Sequence, residues 1–93
     1  MSSKEKTIKK LLLVPIQLMF KYLKEKVPLK INYIDGSFDY ARLYGLDEFF
    51  NLVAVPYDPK VIDLNEPAPM ANMDLDFILI KGDNVTYIET YGG

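Results

Sequence analysis

Two hydrophobic periodicities divide the chain, and the first is helical. Between residues 14 and 26 an apolar stripe recurs at i, i+3, i+4 and i+7, through Ile16, Met19, Phe20 and Leu23. Pro15 suits a first helical turn, because an amide hydrogen there would have no partner. Pro28 pushes Val27 toward extended geometry. We therefore predict a helix over 14–26.

From residue 29 onward apolar residues recur at every second position, a period that is typical of strands. Asp35-Gly36, between two alternating segments, indicates a tight hairpin turn. Pro56 is expected to stop the third strand, and Gly82-Asp83-Asn84 is expected to turn the chain before the last one. We predict five strands, over 29–33, 37–46, 51–55, 75–80 and 85–90.

Two segments show no such period. Residues 57–73 include Pro59, Pro67 and Pro69 and predict a long, exposed and mobile loop. Residues 1–13 are lysine-rich and predict a flexible basic tail, with an arm that contacts an RNA backbone as the open alternative. The folded domain is expected to span 14–93.

One helix followed by five short strands predicts an all-β class with an N-terminal helix. Five strands in a small domain bury their apolar face best by curling into an antiparallel barrel. The most apolar segment is the fourth strand, Leu75–Ile80. At a sheet edge such a strand is an unprotected pairing site, so we expect another subunit to cover it.

Composition narrows the classes of function. The chain has 93 residues and neither cysteine nor histidine, which removes disulfides, the commonest general base and the commonest soft metal ligands. Asp74 and Asp76 alone make a poor cation site. We therefore expect no catalysis, no metal and no cofactor.

Charge and hydropathy limit the partners. The formal net charge of -2 argues against a solitary protein that binds RNA through its overall field, but not against one subunit of a larger assembly. The apolar run 11–16 is too short to cross a bilayer, and no cleavage pattern follows it. We expect neither a secretory signal nor a membrane partner.

Two segments together resemble the motifs of the Sm protein family. Residues 45–53 (GLDEFFNLV) resemble the first motif, with a glycine, an aspartate two residues later, an aromatic residue and an asparagine. Residues 78–85 (ILIKGDNV) resemble the second motif, an apolar strand that ends in a basic residue, glycine and asparagine. The chain is similar to the family from about residue 14 to residue 90.

The resemblance implies the Sm fold, in which a helix caps a strongly bent five-stranded antiparallel barrel of the SH3-like kind. It also implies a ring, in which the fourth strand of one subunit pairs with the fifth strand of the next. The residues then expected at the subunit interface are Leu75, Phe77, Ile78, Leu79, Ile80, Val85, Tyr87 and Ile88.

Within the family, the likeness is strongest to the member that stands between the F and G subunits of a seven-membered ring. That ring encircles the uridine-rich Sm site of spliceosomal small nuclear RNAs. The resemblance implies a nuclear ribonucleoprotein subunit in pre-mRNA splicing, with assembly in the cytoplasm. Its partners would be F-like and G-like subunits and uridine-rich small nuclear RNA.

Three positions of the motifs would meet a base. By the resemblance, Phe49 stacks on it, Asn51 reads its edge, and Lys81 covers the opposite face or neutralises phosphate. Taken without the family, Phe49 is as readily a core residue and Asn51 a turn residue. The segment 81–84 alone is typical of an ordinary hairpin turn.

Three further positions would support these contacts. Gly82 would permit a close approach of the backbone, and Asn84 would brace the turn and contact RNA. Asp47 would accept hydrogen bonds within its own loop and so hold Asn51 in place.

The sequence also departs from the family pattern. Ala41 stands where a glycine normally permits a sharp bend, and Asp39 stands at a usually apolar position. We therefore expect a somewhat more open bend and a bulge within 37–42. The long loop is acidic where the family's is often basic, so no RNA contact is assigned to Asp58, Asp63 or Glu66.

Two other functions stay open from the sequence. A Sm-like (LSm) ring subunit in RNA decay or RNA chaperoning would share the fold and bind different RNA. An SH3-like protein-interaction module without RNA would also use this fold. Seven tyrosines and five phenylalanines would suit its peptide groove.

Overall fold

The structure is a computed structural model that describes residues 16–70 and 74–91. The predicted tail over 1–13, helix positions 14 and 15, loop positions 71–73 and positions 92–93 lie outside the described residues. The elements, in chain order, are α1 (Ile16–Glu25), β1 (Leu29–Tyr33), β2 (Phe38–Leu46), β3 (Leu52–Pro56), β4 (Ile78–Ile80), a 3-10 turn (Gly82–Asn84) and β5 (Val85–Thr90). The predicted helix and all five predicted strands are confirmed, with shifted ends.

The five strands form one antiparallel sheet in the order β4-β3-β2-β1-β5. This confirms the predicted fold class, all-β with an N-terminal helix. The two edge strands are β4 and β5, and the described residues show no pairing between them. Both edges of the sheet therefore carry backbone groups with which no described strand of this chain pairs.

The core lies on one face of the sheet, under the helix. Alternate residues of the three central strands are buried there, because side chains alternate between faces along a strand: Leu29, Ile31, Ala41, Leu43, Leu52 and Ala54. Helix α1 adds Met19 and Tyr22. Ala41 is wholly buried between Leu29 and Pro56 on the neighbouring strands.

The predicted bulge within 37–42 is wrong. Strand β2 pairs with β1 without interruption from Phe38 to Ala41, and the irregularity lies instead between Leu43 and Gly45, opposite β3. Asp39 keeps the inward register, but at an exposed end of the sheet. There its carboxylate accepts a hydrogen bond from the Tyr33 hydroxyl at 2.7 Å, so no bulge is needed to turn it outward.

Strand β4 begins at Ile78 and not at Leu75 as predicted, and the cause lies in β3. The Tyr57 amide donates to Tyr40 of β2. Because amide directions alternate along a strand, the nitrogen of Pro56 faces β4. Proline has no hydrogen to donate, so Pro56 ends the pairing with β4 and is itself the last residue of β3.

The described loop residues 57–70 are mostly exposed, and hydrogen bonds hold this segment at several points. The Tyr91 hydroxyl donates to the Pro59 carbonyl at 3.0 Å, and the Tyr44 hydroxyl donates to the Pro69 carbonyl. Asp58 accepts the Lys60 amide at 2.9 Å, which closes a local turn. Within the described part of the chain, no helix is long and apolar enough to cross a membrane.

Candidate nucleic-acid interface

Asp47 organises the turn between β2 and β3, residues 47–51, here called the first motif turn. One of its carboxylate oxygens accepts the amides of Phe49 and Asn51 at 2.8 and 2.9 Å. The other accepts the Asn51 side-chain Nδ2 at 3.0 Å. The turn closes with a hydrogen bond from the Asp47 amide to the Asn51 carbonyl at 3.1 Å. Asp47 thus fixes both the backbone and the side chain of Asn51.

These hydrogen bonds favour the ionised form of Asp47. The amide of Asn51 is the largest cause of a lowered pKa for this carboxyl, and partial desolvation opposes it. The Asn51 side chain and the Phe49 amide lower the pKa further. The acceptor is therefore a carboxylate at neutral pH, and it makes stronger hydrogen bonds than a neutral oxygen would.

The adjacent phenylalanines of the first motif turn occupy different environments. Phe50 has a φ of 61°, the left-handed region that bulky residues rarely adopt. Its side chain is partly buried against the core. Phe49 is 71% exposed, so its ring is not part of the core. Most of the Phe49 side chain is thereby accessible to solvent, and base stacking requires an accessible aromatic ring.

A hydrogen bond joins the first motif turn to residues 81–84, here called the second motif turn. The Gly82 amide donates to the side-chain Oδ1 of Asn51 at 3.1 Å. Gly82 is buried against the first turn so closely that a Cβ atom there would lie 2.5 Å from the Phe50 carbonyl oxygen. Glycine is therefore required by space at this position.

The second motif turn is also tied to the β1–β2 hairpin. The Asn84 carbonyl accepts the Ile34 amide at 2.9 Å, and the Asn84 amide donates to Lys81 at 3.0 Å. Asn84 thus braces the turn through its backbone, while its side chain is exposed. Sequence reasoning did not include Ile34, because nothing in the motifs points to a contact with the hairpin.

The structure places two of the five predicted RNA-contacting residues, Asn51 and Lys81, beside the supporting Asp47. Asp47, Asn51 and Lys81 line one cavity of about 470 Å³ beside β4. Phe49 does not line it, and extends into solvent from the same turn. The arrangement combines a carboxylate-held amide, an exposed cation and an exposed aromatic ring. Among the described residues no cluster of acidic side chains could hold a metal ion.

Asn51 keeps part of its hydrogen-bonding capacity for a ligand. Its Oδ1 accepts from Gly82 and its Nδ2 donates to Asp47. An amide group offers two hydrogens and two lone pairs, so one hydrogen and one lone pair remain beyond these two contacts. The remaining hydrogen and the remaining lone pair together suit a base edge that has one acceptor and one donor side by side.

The predicted interface residues divide into three groups by exposure, and Leu75, Ile78 and Ile88 form the half-buried one. Leu79 on β4 and Tyr87 on β5 are 84% and 48% exposed, and Phe77 before β4 is 44% exposed. Ile80 and Val85 are buried in the core of this chain. A neighbouring subunit would reach these two through the backbone and not through their side chains.

Comparisons with known proteins identify the family. A small nuclear ribonucleoprotein E from Saccharomyces cerevisiae is 34% identical to this chain in an alignment that covers 95% of this chain and 96% of the relative. Another from Schizosaccharomyces pombe is 32% identical in an alignment that covers 88% of this chain and 93% of the relative. No family model and no solved structure matches. With this identity over nearly the whole length, the chain belongs to the small nuclear ribonucleoprotein E family of Sm proteins.

Proposed function

We propose that this chain is the E-type subunit of a seven-membered ring that binds the uridine-rich Sm site of spliceosomal small nuclear RNA. Its neighbours are F-like and G-like Sm subunits, and its role is in ribonucleoprotein assembly and pre-mRNA splicing. It acts in the nucleus after assembly in the cytoplasm, without catalysis. The observation that carries the proposal is the hydrogen bond between Asn51 and Gly82, which unites the two motif turns.

The chemistry of the united turns suits a uridine. Phe49 supplies a stacking face, a contact that contributes about 1–3 kcal/mol per base in other proteins. Stacking accepts any base, so selection falls to Asn51, whose remaining hydrogen and lone pair match the carbonyl and N–H edge of uracil. Lys81, exposed beside Gly82, supplies the cation for the phosphate or the opposite face of the base.

The unpaired edges support the ring. The two edge strands expose Leu79 on β4 and Tyr87 on β5. Each edge is stabilised when a neighbouring strand pairs with it. Repeated head to tail, β4 against the next subunit's β5, such pairing closes on itself. Each subunit then adds one pair of motif turns to the hole. The net charge of -2 is no obstacle, because several subunits pool their cations.

The test is retention of uridine-rich RNA by the assembled ring. Phe49→Ala and Asn51→Ala are each introduced into this chain and combined with wild-type F-like and G-like subunits and the remaining ring members. Retention of an oligouridine is expected to fall for each variant, and further for the pair. Phe38→Ala is the control, because Phe38 is an exposed aromatic residue outside both motif turns. Unchanged retention by the double variant would refute the proposed site.

A further inference from the structure

The two edges of the sheet carry like charge at the same end. Asp74 and Asp76 precede β4 and are exposed. Glu89, also exposed, stands one residue before the end of β5. Lys30 lies opposite Glu89 in the register of β1, but its ammonium sits 4.3 Å from the Phe38 ring centroid. The outer ends of both edge strands are therefore acidic.

The direction of the edge strands decides which ends meet in a ring. Strand β4 runs into the second motif turn, and β5 runs out of it. In the proposed ring this turn faces the hole, so β4 of one subunit and β5 of the next run in opposite directions. The start of β4 then meets the end of the neighbour's β5 at the outer rim. Between identical copies, the exposed Asp74 and Asp76 would then lie close to Glu89 at this rim.

The outer part of the β4 edge also has no pairing partner among residues 16–70 and 74–91. Pro56 ends the pairing of β3 with β4, so β4 has three residues while β5 has six. The neighbour's β5 is long enough to pair beyond Ile78, alongside residues 75–77. At the inner end of the contact, Lys81 of one copy would lie near the second motif turn of the next copy, which carries Asp83. Charges of opposite sign would meet there, so repulsion between copies is confined to the rim.

We propose that acidic charge on both edges at the rim disfavours pairing of this chain with its own copies. It favours, against β4, a neighbour whose fifth strand ends in lysine or arginine. The inference rests on the proposed ring and adds the chemistry of the neighbour. Like charges facing each other across two strands destabilise their pairing, and opposite charges stabilise it.

The test uses charge reversal on the chain alone. Glu89→Lys and Asp76→Lys each make the rim contact between copies attractive, whereas the double variant makes it repulsive again. Self-association is measured by sedimentation at low salt. Each single variant is expected to associate about threefold more tightly per contact, and the double variant is expected to return to the wild-type level. Glu66→Lys, on the exposed loop, is the control with the same change in net charge.

Salt supplies a second measurement that needs no variant. Self-association of the wild-type chain is expected to strengthen as salt rises to about 1 M, because screening weakens like-charge repulsion. Single variants that associate no better than wild type, or a Glu66→Lys gain equal to theirs, would overturn the inference. If mixtures with F-like and G-like subunits still assemble in that case, the proposed function stands. If those mixtures also fail, the ring itself is wrong.

Discussion

The side chain of Asn51 accepts a hydrogen bond from the amide of Gly82 at 3.1 Å. The same side chain donates to Asp47 at 3.0 Å. Asn51 is therefore a structural link between the two motif turns as well as the proposed reader of the base. Substitutions at this position have to be interpreted with both roles in mind.

Two variants of Asn51 distinguish the loss of its hydrogen bonds from the effect of an added negative charge at this position. Asn51→Ala removes both contacts and is expected to lower the free energy of unfolding by about 1–2 kcal/mol. Asn51→Asp keeps an acceptor for Gly82 but brings a second carboxylate against Asp47, which raises the pKa of one of them. Denaturant unfolding should show that Asn51→Asp regains stability as the pH falls toward 5, whereas Asn51→Ala does not. Identical pH profiles for the two variants would contradict this.

Gly82→Ala tests the close contact between the motif turns. The added Cβ would meet the Phe50 carbonyl oxygen at 2.5 Å and the Phe49 carbonyl oxygen at 2.9 Å. Both are backbone atoms, so the turns must separate, at a cost of about 2 kcal/mol or more. Thermal or denaturant unfolding measures the loss. Asp83→Ala, exposed in the same turn, is expected to change little, and equal losses would count against the steric account.

Substitutions of Phe49 and Phe50 are expected to have different effects, on RNA binding in the first case and on the stability of the fold in the second. Phe49→Ala removes a 71% exposed ring and is expected to leave unfolding within about 0.5 kcal/mol of wild type. In the assembled ring it should weaken oligouridine binding about tenfold. Phe50→Ala removes a ring that packs on the core and should lower stability by about 1–3 kcal/mol. A large loss of stability from Phe49→Ala would show that its ring is structural.

The lowered pKa of Asp47 predicts an acid-dependent contribution to stability. A carboxyl whose pKa is lower in the folded state stabilises the fold at any pH above its unfolded pKa of about 4. That contribution is lost as the pH falls through the folded value. The difference in unfolding free energy between wild type and Asp47→Asn should therefore be constant near neutral pH and shrink below about pH 4. A difference that stays unchanged down to pH 2 would contradict the hydrogen-bonding account of the first motif turn.

Local patterns predicted most of the fold. The apolar stripe through Ile16 and Phe20 gave the helix, and Asp35-Gly36 gave the hairpin, where Gly36 has a φ of 89°. The fourth strand was predicted too long, because the alternation of apolar Leu75 and Phe77 with polar Asp76 favours a strand wherever an edge is available to pair with. Whether the edge of β3 could pair with these residues depended on the direction in which the nitrogen of Pro56 points. No local sequence pattern reveals that direction.

The site could be predicted only in part. The motif resemblance placed Asp47, Asn51 and Lys81 in the two turns, and the structure brings those three around one cavity. The contact between Asn51 and Gly82 joins residues 31 positions apart, so neither turn predicts it alone. The positive φ of Phe50 was also beyond prediction, since that conformation is unusual for a bulky residue.

The measurement that most directly tests the central claim is the native mass of this chain mixed with F-like and G-like Sm subunits. It is made with and without a short oligouridine. The account predicts that all three chains enter one complex through their sheet edges, and that this complex retains the oligouridine once the remaining ring members are added. A chain that remains a stable monomer in the presence of these subunits would contradict it, because its two edges would then need no partner.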